Sequence, residues 1–167
     1  MIFPVCNACV KSNELCDNCK KETKKNEISL EEIEHYRMIN KALRGEKHLK
    51  DVEIKRVFAN DKVAIIVSSK KDVAKLIGKN GIVAKKLEKK LDKSIRVVSF
   101  DDDPYNFSRD VLHPSNIIGI NVVYTGNNEI YRVRLPLTER YLMKITPEFF
   151  KTAAMQILGK HVEVEFE

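Results

Sequence analysis

The chain has 167 residues, 43% of them hydrophobic, and no run approaches the roughly 18 apolar residues of a membrane span. Its N-terminus lacks the apolar region of a signal peptide, so a soluble, cytoplasmic protein with no membrane partner is expected. The net charge of +6 is uneven: residues 69–96 hold 10 basic and 3 acidic residues, whereas residues 104–167 carry 7 of each. Such a basic window attracts polyanions in a salt-dependent way, although a solvated lysine face has the same composition.

The first element is the run "VCNACVKSNELCDNCK", in which Cys6, Cys9, Cys16 and Cys19 form CxxC-x6-CxxC. Each CxxC puts two thiolates on one turn, and two such turns close a tetrahedron around Zn²⁺. Two disulfides would suit a secreted chain, and a four-cysteine iron–sulfur cluster is a further alternative. Spacing and compartment favour zinc, with all four positions filled and therefore a structural role. So short a segment has little core of its own, and metal binding should drive its folding.

A charged tether, "KKETKKNE", then leads to "ISLEEIEHYRMINKALRG". Ser29 and Glu32 read as a capping box, with Ile28 and Ile33 as the hydrophobic staple. Ile33, Tyr36, Ile39, Ala42 and Leu43 share one face, and Gly45 is a stop. Two strands follow: "DVEIKRVFAN", where Val52 and Ile54 are succeeded by Val57, and "KVAIIVSS", whose continuous β-branched run suits a covered strand. A short helix near Asp72–Ile77, a turn at Gly78–Gly81 and a helix from Ile82 to Leu91 come next. In the second helix Val83, Leu87 and Leu91 form the apolar stripe, away from Lys85, Lys86, Lys89 and Lys90. "SIRVVSF" reads as a third strand, ended by Asp101–Asp103 and Pro104, a turn rather than a Mg²⁺ site.

The turn lacks the GxxxxGK[ST] of a P-loop and the G-x-G-x-x-G of a dinucleotide site. With "IGKNG" at the helix join, this order of elements resembles a KH domain of the type II arrangement. The resemblance implies single-stranded RNA as partner, its backbone clamped by the GXXG loop. Without side chains at Gly78 and Gly81, phosphates can approach the main chain and the positive end of the next helix. Lys79 adds a mobile cation beside Asn80. Lys75, Lys85 and Lys86 would supply further phosphate attraction. The apolar groove for bases would have Ile77, Ile82, Val83, and Ile95 or Val97 as its floor, although most of these are core positions whatever the function.

The neutral C-terminal third repeats the pattern. A shift of 68 places Val63, Ile65 and Val67 on Tyr131, Val133 and Leu135, and Ile77 on Ile145. After a one-residue deletion Val83, Leu91 and Ile95 fall on Phe150, Leu158 and Val162. "NIIGINVVYTGNNEIYRVRLP" reads as two strands about a Gly-Asn-Asn turn. Thr138 is placed to cap a short helix, Thr146-Pro147 starts another that stops at Gly159, and "HVEVEFE" is a strand. Where the first unit has its glycines this one has "TPEF", Thr146–Phe149. Proline removes a donor and Glu148 repels phosphate, so this loop should not clamp RNA.

The expected fold is α+β: residues 1–26 a zinc finger and tether, 27–103 a type II KH domain, and 104–167 a degenerate KH-like domain without GXXG. Each KH-like unit would pack helices on a three-stranded mixed sheet. Tandem units joined through "YNFSRDVLHPSNIIGINVV" resemble the RNA-binding part of NusA, the transcription elongation and termination factor. With the finger in front, the whole is most similar to archaeal NusA-like KH proteins. Bacterial NusA has glycine loops in both units, and this chain keeps one. The resemblance implies a non-enzymatic protein acting on nascent RNA beside RNA polymerase. The alternative is an adaptor whose protein contacts dominate, on polymerase, a ribosome or an RNA-modifying enzyme. His35, His48, His113 and His161 are scattered without a partnered nucleophile, and no small-molecule substrate is expected.

Overall fold

The computed structural model describes all residues, 1–167. It is an α+β protein with two three-stranded mixed sheets and an N-terminal four-cysteine cluster. The chain divides into two compact units, Met1–Val97 and Val98–Glu167. No helix is long and apolar enough to cross a membrane.

Two short helices open the chain, α1 (Asn7–Lys11) and α2 (Asp17–Lys25), each with a cysteine at its N-cap. The charged stretch expected to be a tether is therefore largely helix. Its one buried polar side chain, Thr23, gives α2 an inner face. Next comes α3 (Leu30–Ala42), capped by Ser29, whose Oγ accepts the Glu32 N–H at 3.1 Å. The segment before α3 is not an appendage. Ile2 pairs with Glu53, Phe3 packs on Tyr36 with ring centroids 5.6 Å apart, and Phe3, Val5, Cys9, Val10 and Cys19 lie in one core with Ile33, Tyr36 and Ile39.

The first sheet has the order β1 (Ile54–Ala59), β2 (Val63–Ser68), β3 (Ser94–Ser99). Ile54 faces Ser68 while Arg56 faces Val67, so a bulge falls at Lys55. The bulge explains why the buried positions run Val52, Ile54 and then Val57: the extra residue moves the inward face from even to odd numbers. All of β2 is buried, as its unbroken apolar run requires. Between β2 and β3 lie α4 (Lys70–Ile77), a 3₁₀ turn at Lys79–Gly81, and α5 (Ile82–Leu91). Ala64 and Ile66 of β2, Leu76 of α4, and Val83, Leu87 and Leu91 of α5 join the same core.

The second unit carries α6 (Pro104–Leu112), β4 (Gly119–Thr125), β5 (Asn128–Leu135), α7 (Glu139–Leu142), α8 (Pro147–Leu158) and β6 (His161–Phe166). Its order, helix–strand–strand–helix–helix–strand, is that of α3 to β3. The 68-residue displacement places β2 residues on β5, and Ile95 of β3 falls on Val162 of β6 after the deletion. Strands β4 and β5 are antiparallel about Gly126 (φ 61°), and β6 runs parallel to β5 with Tyr131 opposite Val162. Phe107, Val133, Leu135, Phe150 and Val162 are fully buried.

Two local expectations change. The segment after Pro104 is a helix rather than a connector, because Pro104 sits at N1 and Asp103 accepts the N–H groups of Tyr105 and Asn106 at 2.8 and 2.9 Å. Thr138 makes no side-chain cap: its backbone is already helical (φ −62°, ψ −31°), which points its hydroxyl away from a capping role.

Candidate nucleic-acid interface and metal centre

The turn between α4 and α5 is built from left-handed residues. Gly78, Asn80 and Gly81 have φ of 75°, 54° and 73°. Glycine takes such angles freely, and asparagine is among the few other residues that tolerate them. A Cβ at Gly78 would lie 2.6 Å from Val83 Cγ2, whereas one at Gly81 would meet nothing within 4 Å. Gly78 is therefore needed for packing as well as conformation. The matching join of the second unit has another geometry: Thr146 is extended (φ −72°, ψ 148°) and its Oγ1 caps the Phe149 N–H at 3.2 Å. Its lack of glycine thus says nothing about whether the first turn could be built without glycine.

At the N-terminus of α5 no side chain caps the helix and no acidic residue lies in the first turn. Lys79 and Asn80 are exposed at the apex. Ile77 and Ile82 flank the turn at 40% and 68% exposure, large apolar surfaces left in water. Val83, Ile95 and Val97, the other candidates for a groove floor, are buried in the core and present no face to a ligand. The expected lysines divide into two pairs. Lys79 and Lys85 make no ion pair. Lys75 Nζ lies 3.0 Å from Asp72 Oδ1, and Lys86 Nζ lies 2.5 Å from Glu46 Oε1. Burial works against the Asp72 charge, yet Lys75, the Ser69 hydroxyl and the Glu53 N–H hold its carboxyl below the usual range. Ser69 stands at the N-cap of α4, where its Oγ donates to Asp72 Oδ2 at 2.9 Å.

A cleft of about 720 Å³ opens beside α3 in the same unit. Its lining includes Lys11, Arg37, Lys41, Arg44, Lys47 and Lys50, with Glu46 as the one carboxylate. The sequence signal for this cleft is the run "KALRGEKHLK", which holds four of its six cations at and just beyond the end of α3.

The four cysteines converge, with all Sγ atoms within 4.8 Å of one another. A tetrahedron with metal–sulfur bonds of about 2.3 Å has sulfur–sulfur edges of about 3.8 Å, so the set is of the right size. The two turns support each other reciprocally. Cys6 N–H donates to Cys19 Sγ at 3.3 Å, and Cys16 N–H donates to Cys9 Sγ at 3.1 Å. Such N–H···S bonds hold sulfur lone pairs in place for a cation. The backbone N–H of Cys9 pulls the Cys6 thiol down to about 7, while burial pushes Cys19 up to about 12. Four thiolates this close ionise together only around a cation, so the donors fit a metal ion such as zinc.

No protein-family model matches the chain, and no curated protein matches it. Among solved structures the chain is similar to one described as "Crystal structure of APE1850". The likeness has 18% identity and a TM-score of 0.49, and spans 84% of this chain and 100% of that one.

Proposed function

We propose that the protein is a non-enzymatic, single-stranded RNA-binding protein of the NusA-like kind, acting on nascent transcripts in the cytoplasm. In this reading residues 27–103 are a type II KH domain, residues 104–167 are a degenerate partner, and the cysteines hold a structural Zn²⁺. The observation that carries it is the Gly78–Gly81 turn. There the backbone is bare, the α5 terminus is uncapped, Lys79 is free, and Ile77 and Ile82 stand exposed on either side. A phosphate can reach main-chain N–H groups there, and bases can settle on the isoleucines.

The test is Lys79→Asp with Asn80→Asp. Aspartate tolerates the left-handed angle of Asn80, so the turn survives while its charge reverses. Fluorescence anisotropy with a labelled single-stranded RNA should show affinity falling at least about tenfold, with an unchanged circular dichroism spectrum. Undiminished affinity would refute the clamp.

Exposed Leu137, Tyr141 and Leu142 around α7 favour the second reading, an adaptor for polymerase, a ribosome or a modifying enzyme. Capture of such a partner that depends on the cysteines but not on the turn would select it.

A further inference from the structure

The cleft beside α3 gathers charge that the fold does not use. Of its six basic residues, Arg37 alone is engaged: its Nε donates to Cys9 O at 3.2 Å, and its Nη1 bonds Glu34. Lys11, Lys41, Arg44, Lys47 and Lys50 form no ion pair, although each is exposed and the chain carries 24 acidic residues. The single lining carboxylate, Glu46, is taken up by Lys86 at 2.5 Å. Five like charges around one concavity raise the local positive potential, which attracts a polyanion in a salt-dependent way.

From the cleft, the structure assigns a second contact for the RNA strand proposed at the Gly78–Gly81 turn: a site for its sugar–phosphate backbone. The assignment rests on that RNA-binding reading. Lys86, which touches the cleft through Glu46, lies four residues after Ile82 on α5, about 6 Å along the helix axis. A strand leaving the turn along the lysine face of α5 therefore arrives at the cleft within a few nucleotides. Apart from Met1, Val10, Leu43, Gly45 and Leu49, its lining is polar, with the Asn13 and Asn40 amides as hydrogen-bond donors. That suits a sugar–phosphate backbone better than an apolar partner segment. The wall at residues 10–13 is the end of α1 and the start of the loop between the two CxxC turns, so the cysteine cluster shapes one side of the path.

The experiment compares single-stranded RNAs of 5 and 15 nucleotides, by anisotropy over a salt series. The proteins are the full chain, the variant Lys41→Gln/Arg44→Gln/Lys47→Gln, and the turn variant Lys79→Asp/Asn80→Asp. The cleft positions are exposed, and an unchanged thermal midpoint checks the fold. The cleft variant should bind the 15-mer about tenfold more weakly, with a salt slope reduced by about 2, and the 5-mer as before. The turn variant should lose both. If the cleft variant binds the 15-mer as the parent does, while the turn variant loses it, the cleft assignment falls and the clamp stands. An equal loss on 5-mer and 15-mer also overturns the extension, and failure of the parent chain to bind either RNA overturns both readings.

Discussion

Glu32 shows how one residue can satisfy a local rule and serve a distant purpose. In the sequence it completes Ser29-x-x-Glu, and its N–H does donate to the Ser29 hydroxyl. Its carboxylate, however, turns into the protein rather than back to the cap. Oε1 accepts from Tyr36 Oη at 2.6 Å, Arg56 Nε at 2.9 Å and the Val57 N–H at 2.9 Å, and Oε2 accepts from Arg56 Nη2 at 3.1 Å. The cap is legible because it needs only neighbours in sequence; the hub is not, because Arg56 and Val57 come from β1. Burial first, then the Glu32 charge, keeps the Tyr36 hydroxyl protonated far above the usual range. Removing the carboxylate strands a partly buried guanidinium and an unpaired N–H. Glu32→Ala should therefore lower unfolding stability by about 3 kcal/mol, measured by urea denaturation. A loss below about 1 kcal/mol, the scale of an N-terminal cap alone, would show that the hub carries no weight.

Among the elements, α1 and α2 depend most on something outside themselves. Five and nine residues are too few to hold helices alone in water. Their support comes from the cysteine cluster on one side and, through Phe3, Val5 and Val10, from the α3 core on the other. The CxxC spacing made the cluster legible, since metal chemistry fixes that interval. The shared core was not, because Phe3 and Val5 precede any periodic pattern. The consequence is that a metal lost from the cysteines should be felt in α3. Chelation, or Cys9→Ser, should lower the thermal midpoint of the first unit and speed hydrogen exchange at Ile33–Ile39. Exchange in α3 that ignores a chelator would mean that the finger folds apart from its neighbours.

Across the whole chain, the stretch from α3 to β3 and the second unit share an element order but not a charge, with all of the +6 before residue 104. The order was readable from aligned apolar positions, because core-facing residues must recur wherever a fold recurs. What was not readable was α6, since Asp103-Pro104 marks a turn and a helix start equally well. If charge rather than loop shape decides where a polyanion settles, glycines alone will not convert the second unit. The substitutions Thr146→Gly, Pro147→Lys, Glu148→Asn and Phe149→Gly should leave RNA affinity within about twofold of the parent. The helix they would precede carries only Lys151 as a basic residue. A large gain by anisotropy would instead make the loop sufficient.

The bond between Glu32 and Arg56 also bears on how such a chain can drift. Either residue replaced alone leaves a charge without its counterpart, while an apolar pair of similar volume removes both charges at once. Among related chains these two positions, 24 residues apart, should therefore change together or stay as they are. Such a linked pair would mark α3 and β1 as neighbours even where no other identity survives.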